Sequence, residues 1–323
     1  MVATLCLDAQ DLGEENLGFS WCLTDDFRPG EIVEVRSLSE ILKTLDENGT
    51  LEGLPFMPEM SKYCGKEFRV SKRVNKLFVE GIGNRRIKNI LILEGTTCDG
   101  QFHGGCARTC QILWKEAWLR RPSDGSSVGS LSSWRDGGAV GLQKPMCEGL
   151  SCQLASLPMA TCFYPFSFED VVRQCFCGLG SEKPGFFGKV CGFLLWLNFK
   201  VQQMLGRKKY ATLHGVLDRT PTVSLNLRPG ELVEVKSREE ILATLDRRGR
   251  NRGLSFTAEM LKFCGGRYRV LKRVDRMIVE KTGRLREIAN TVILEGVTCD
   301  GSDHDGCPRN CYCLWREIWL KRV

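Results

Sequence analysis

A length of 323 residues leaves room for two or three domains, and the 42% hydrophobic and 26% charged fractions are those of a globular protein. The net charge of +7 permits contact with nucleic acid or an anionic membrane surface without demanding either. Seventeen cysteines, an odd number, exclude complete pairing into internal disulfides.

Residues 1–27 read as an acidic leader. Met1 to Leu7 is apolar but short, lacks a basic start and runs into Asp8, Asp11, Glu14 and Glu15, unlike a signal peptide. The expected setting is therefore a reducing, cytoplasmic one, where clustered cysteines favour metal binding or redox chemistry over disulfides.

Residues 28–121 form a first module, and the same module recurs in residues 210–323. Arg28-Pro29-Gly30-Glu31 matches Arg228-Pro229-Gly230-Glu231, and more than half of the positions from Arg28 to Gly83 are identical to their counterparts. An insertion before Asn290 shifts the offset by one. Each copy spans about 95 residues, enough for one modest core.

Within a module the pattern is mostly strand. Glu31 to Val35 alternates after Pro-Gly. Ser37 starts a short helix with Glu40 at capping-box spacing and Ile41, Leu42 and Leu45 on its apolar face. Glu59-Met60 begins a helical turn that ends near Cys64-Gly65. Strands are predicted at Phe68–Val74 and Ile90–Leu93, and a last one at Trp114–Leu119, with Trp114, Glu116 and Trp118 on one face and one of them at a rim. The expected fold is mainly β with short helices: two homologous, small, SH3-like, partly open β-barrels.

Between the modules, residues 122–185 form a Gly-, Ser- and Cys-containing linker with no clear period. Residues 186–209 predict an amphipathic helix with a basic end. Its candidate membrane or partner contacts are Phe193, Leu194, Trp196, Leu197, Arg207, Lys208 and Lys209. The apolar run is too short to span a bilayer.

Both copies keep four cysteines and a histidine. Cys64, Cys98, Cys106 and Cys110 match Cys264, Cys299, Cys307 and Cys311, and His103 matches His304. Glycines in the loop after Cys98 and Cys299 give the backbone freedom for ligands to converge. Four thiolates, or three with His103 or His304, suit tetrahedral zinc. Two zinc sites are the leading expectation; iron–sulfur clusters and free thiols with no metal are the alternatives. The histidines serve as ligands or hydrogen-bond a ligating sulfur. Cys313, without a counterpart, is not expected to be essential.

Pro29-Gly30-Glu31 with Val33-Glu34-Val35, Cys64-Gly65, Ile92-Leu93-Glu94-Gly95, Cys98-Asp99-Gly100 and Trp114 to Leu119 resemble an uncharacterised bacterial family of small cysteine-containing β-rich domains, here in two tandem copies. The resemblance covers both modules and implies domain identity; it implies no activity.

No P-loop, dinucleotide fingerprint, H-E-x-x-H motif or nucleophile elbow occurs, so whether the chain is an enzyme stays open, with a non-enzyme favoured. The expected function is a non-enzymatic tandem metal-binding protein with an unknown protein partner. Basic stretches at Lys66–Lys76 and Arg267–Arg276 give a nucleic-acid-binding alternative, and the cysteines an iron–sulfur redox one.

Overall fold

The computed structural model describes residues 27–122, 152–163, 213–304 and 306–323. The acidic leader, save Phe27, and the amphipathic helix of residues 186–209 lie outside them.

Each module starts where its sequence places the first turn. Gly30 adopts a φ of 93°, which its lack of a Cβ allows, and turns the chain into β1 (Ile32–Val35). Alternation in β1 buries Val33 and Val35. The capping box then starts α1 (Leu38–Leu42): Ser37 N–H donates to Glu40 Oε2 at 2.9 Å and Glu40 N–H to Ser37 Oγ at 3.4 Å. Ile41 is buried, but Leu42 is exposed, because a helix of five residues has room for only a narrow inward stripe.

Two short strands follow, β2 (Thr50–Leu51) and β3 (Leu54–Pro55), then a 3-10 turn over Pro58–Tyr63. A long hairpin, β4 (Glu67–Val79) and β5 (Gly83–Thr97), leads through the cysteine loop to β6 (Gln111–Lys115) and β7 (Leu119–Arg120). The sheet order is β6-β5-β4-β1-β7, with every pair antiparallel.

The expected single strand at Trp114–Leu119 is broken by a 3-10 turn at Glu116–Trp118. This break lets Trp114 and Trp118 both be fully buried rather than one lying at a rim. It also carries the chain from one edge of the sheet to the other. Five flat strands would separate those edges by about 19 Å, whereas a 3-10 turn advances only about 2 Å per residue. The sheet must therefore curl, although no strand pairing closes it.

After residues 152–163 the second module repeats the plan. It contains β9 (Leu232–Val235), α3 (Arg238–Leu242), β10 (Arg250–Asn251), β11 (Leu254–Ser255), β12 (Arg267–Arg273), β13 (Arg276–Val279), β14 (Arg284–Glu287), β15 (Thr291–Leu294), β16 (Trp315–Arg316) and β17 (Leu320–Arg322). Its main sheet runs β16-β15-β12-β9-β17. The buried Glu317 shows why a carboxylate is tolerated beside the core tryptophans. It accepts the backbone N–H groups of Leu225, Asn226 and Leu227 and the guanidinium of Arg273, so its charge is fully hydrogen-bonded.

Part of the linker is ordered on the first module, which the sequence did not reveal. There α2 (Gln153–Ala160) and β8 (Cys162–Phe163) pack on the module, β8 pairing with β5. The buried Gln153 carboxamide accepts from Leu113 N–H and donates to the carbonyls of Leu113 and Pro55, standing in for a strand at the edge of β6.

The modules touch, and the contact is reciprocal. Phe78 N–H points at Cys307 Sγ, and its counterpart Ile278 N–H points at Cys106 Sγ, each at 3.4 Å. Cys307 and Ile278 belong to the same buried apolar cluster as the first module's core. Glu280 is buried in this contact, accepting from Glu80 N–H and Arg309.

Candidate functional site

The loop after Cys98 is wound around one carbonyl. His103 N–H and Gly105 N–H both donate to Gly100 O, and Cys106 N–H donates to His103 O. Gly100 has a φ of 76°, and a Cβ there would collide with the carbonyl of Cys106, so the loop needs glycine at this position. Asp99 accepts Gln101 N–H in an Asx turn and pairs with Lys62 at 2.7 Å; Asp300 does the same with Ser302 and Lys262.

This winding drives His103 into the interior, where it is 0% exposed. There it meets Glu59, a residue the sequence reading passed over. His103 Nε2 lies 2.7 Å from Glu59 Oε1, and Cys98 Sγ donates to the same oxygen at 3.2 Å. One ligand-type atom from each of Glu59, Cys98 and His103 lies within 4.8 Å of the others. Glu59 Oε2 and His103 Nδ1 are buried without a hydrogen-bond partner.

Burial works to raise the Glu59 carboxyl, but the His103 hydrogen bond and the others it accepts outweigh it and hold the group below its ordinary value. Burial, and next the Glu59 charge, push the Cys98 thiol far up. A buried acid, thiol and imidazole with orphaned atoms form a costly arrangement without a cation, and the S, N and O donor set suits zinc.

Among the described residues this is the one such group, and it takes two of the five expected residues of the first module, Cys98 and His103. Cys64 caps the 3-10 turn and packs against the core, its thiol pushed up to about 11 by burial. Cys106 faces Ile278 across the module contact. Cys110 lies opposite Cys98, its carbonyl accepting Cys98 N–H at 2.8 Å.

The second module spends the same residues differently. Cys264 again caps a 3-10 turn and Cys307 faces Phe78. His304 leaves Glu259 and stacks on Phe78 of the first module, with ring centroids 4.3 Å apart. Asp303 stands where the first copy has Phe102, and its carboxylate accepts Glu259 N–H. Burial first, and the neighbouring Asp303 and Asp300 next, push the Glu259 carboxyl up to about 7. Cys299 lies opposite Cys311, beside the Thr298–Tyr312 bridge, and its N–H donates to Cys311 O at 2.8 Å. The Cys299 contact first, and then Arg309 and Arg108, hold Cys311 well below an ordinary thiol despite its burial. Cys313 is buried nearby, its thiol pushed up to about 12 by that burial.

Between the modules a cavity of about 30 Å³ is bordered by Cys98, Cys110, Cys152, Gln153, Arg309 and Cys311. Comparison of the chain with protein-family models, with curated proteins and with solved structures finds no match. No helix among the described residues is long and apolar enough to cross a membrane. The basic strands are largely engaged: Arg69 and Arg269 donate to the carbonyls of Gly30 and Gly230, Arg267 pairs with Glu234, and Lys72 reaches Asn310 of the second module.

Proposed function

We propose that this chain is a non-enzymatic, metal-stabilised interaction protein whose first module holds a zinc ion through Glu59, Cys98 and His103. The observation that carries this reading is the buried triad with its two unpartnered polar atoms. Zinc supplies the positive charge that the buried Glu59 carboxylate and a Cys98 thiolate call for, and its binding energy adds to folding energy for a module of modest core. The role of Glu59, Cys98 and His103 is to hold and desolvate the ion. The curled five-stranded sheets fit two partly open SH3-like barrels, and the chain fits the bacterial family of small cysteine-containing domains that its sequence resembles. A reducing cytoplasmic compartment and a protein partner complete the reading. The engagement of the basic strands argues for a protein over a nucleic acid as that partner.

Elemental analysis of the protein purified anaerobically tests the site. About one zinc per chain is expected, lost in Cys98→Ser and in His103→Ala and kept in Cys264→Ser. Metal-free protein, or a zinc content unchanged by Cys98→Ser, would overturn the assignment. Iron with sulfide would replace it by the cluster reading.

A further inference from the structure

We propose that Cys311 and Cys299 form a dithiol site for thiol–disulfide exchange with small aliphatic disulfides, Cys311 attacking and Cys299 resolving. The inference does not rest on the zinc reading, since neither residue belongs to that triad.

The strand geometry sets up the bond. Thr298 and Tyr312 form an antiparallel bridge, so Cys299 and Cys311, one step further, lie directly opposite each other. Opposed residues in such a pair sit about 4.5–5.5 Å apart at Cα, inside the roughly 4.4–6.8 Å that a disulfide spans. Cys299 N–H donates to Cys311 O at 2.8 Å, which fixes the register of the pair. Both residues are partly exposed, and the neighbouring cavity borders Cys311.

The surroundings choose the attacking sulfur. Arg309, buried two residues before Cys311, and Arg108 from the first module share one carboxylate, Glu280, at 2.9 and 3.9 Å. Two guanidiniums against one carboxylate leave a positive excess inside the contact, and Arg309 Nε is buried without a partner. A thiolate at Cys311 balances that charge. The opposed pair of the first module, Cys98 and Cys110, is not equivalent, because the Cys98 thiol is committed to Glu59.

The exchange balances as follows. The Cys311 thiolate attacks one sulfur of RSSR, forming a mixed disulfide and releasing RS⁻. That RS⁻ takes the proton of Cys299. The Cys299 thiolate then attacks the Cys311 sulfur, closing the protein disulfide and releasing the second RS⁻. Two protein thiols are oxidised and one RSSR is reduced to two thiols.

The test treats the full chain with 2-hydroxyethyl disulfide and maps cysteines by alkylation and peptide mass spectrometry. A Cys299–Cys311 disulfide is expected, forming about ten-fold faster than any other linkage. Cys299→Ser should stop at a mixed disulfide on Cys311, whereas Cys311→Ser should lose the fast phase. A first linkage between Cys110 and Cys311, or both Cys299 and Cys311 remaining alkylatable, would overturn the site. An undiminished fast phase in Cys311→Ser would overturn the assignment of the attacking sulfur.

Discussion

The two modules share a scaffold and differ at its most chemical spot. In the first, Glu59, Cys98 and His103 close on one another in the interior. In the second, Glu259 is hemmed by aspartates, His304 lies on the other module and Cys299 faces Cys311. Phe102 in one copy and Asp303 in the other account for much of this. Asp303 beside the buried Glu259 helps burial to raise that carboxyl and so favours its neutral form, a weaker acceptor, whereas Phe102 brings no charge to Glu59, which takes the imidazole. The lesson is that retaining ligand-type residues in both copies does not retain their geometry.

The scaffold half of this comparison breaks most visibly at the tryptophans. Trp118 and Trp319 are fully buried, donate to Thr44 and Thr244 at 3.1 and 3.0 Å, and pack edge-on to Phe56 and Phe256. Replacing either by alanine should cost about 3–5 kcal/mol in chemical denaturation. Similar losses from both would show that the cores are equivalent; a loss from only one would show that the modules have diverged there too.

The site half is sharpened by pH. Glu259 ionises near 7 in the folded state against 4.5 when unperturbed. A raised carboxyl stabilises the fold fully below its unfolded value and loses that contribution as pH rises through the folded one. The effect should be on the order of 3 kcal/mol, read as a melting temperature that falls between about pH 5 and about pH 8. Glu259→Gln should flatten that slope. Glu59, held low, gives no such fall. A slope unchanged in Glu259→Gln would place the titrating group elsewhere.

The smallest expected effect separates two otherwise matching tryptophans. Trp114 Nε1 donates to Thr96 Oγ1 at 3.1 Å, but Val297 occupies the equivalent place beside Trp315, whose indole N–H is buried and unpartnered. Thr96→Val should cost about 1–3 kcal/mol, and Val297→Thr should stabilise by about 1 kcal/mol. Both are readable as shifts in denaturation midpoint. Destabilisation by Val297→Thr would mean that the pocket cannot seat the hydroxyl.

Much of the scaffold was legible in the sequence because its signals are local. The Pro-Gly turn, the Ser37–Glu40 capping box and strand alternation each act within a few residues. The loop cysteines and histidines were equally visible as a repeated set. The partners they meet were not, because those contacts are long-range. Glu59 lies in a 3-10 turn well before Cys98, and nothing in its spacing distinguishes it from a solvated charge. Asp303 reads as a loop residue until its N–H partner is known. The helix around Pro158 was hidden for another reason: it has little amphipathic pattern, and what holds it, the Gln153 carboxamide and the buried Leu154 and Leu157, acts over long range.

The reciprocal contact of Cys106 with Ile278 and Cys307 with Phe78 has the form of an isologous interface, as in a symmetric dimer. In a true homodimer every substitution enters both sides at once, so a residue useful on one side is forced on the other. Joined in one chain, the two sides hold each other at high effective concentration and accept changes independently. That freedom is what lets Phe102 and Asp303 occupy equivalent places, and it makes the molecule a dimer specialised into two unlike halves.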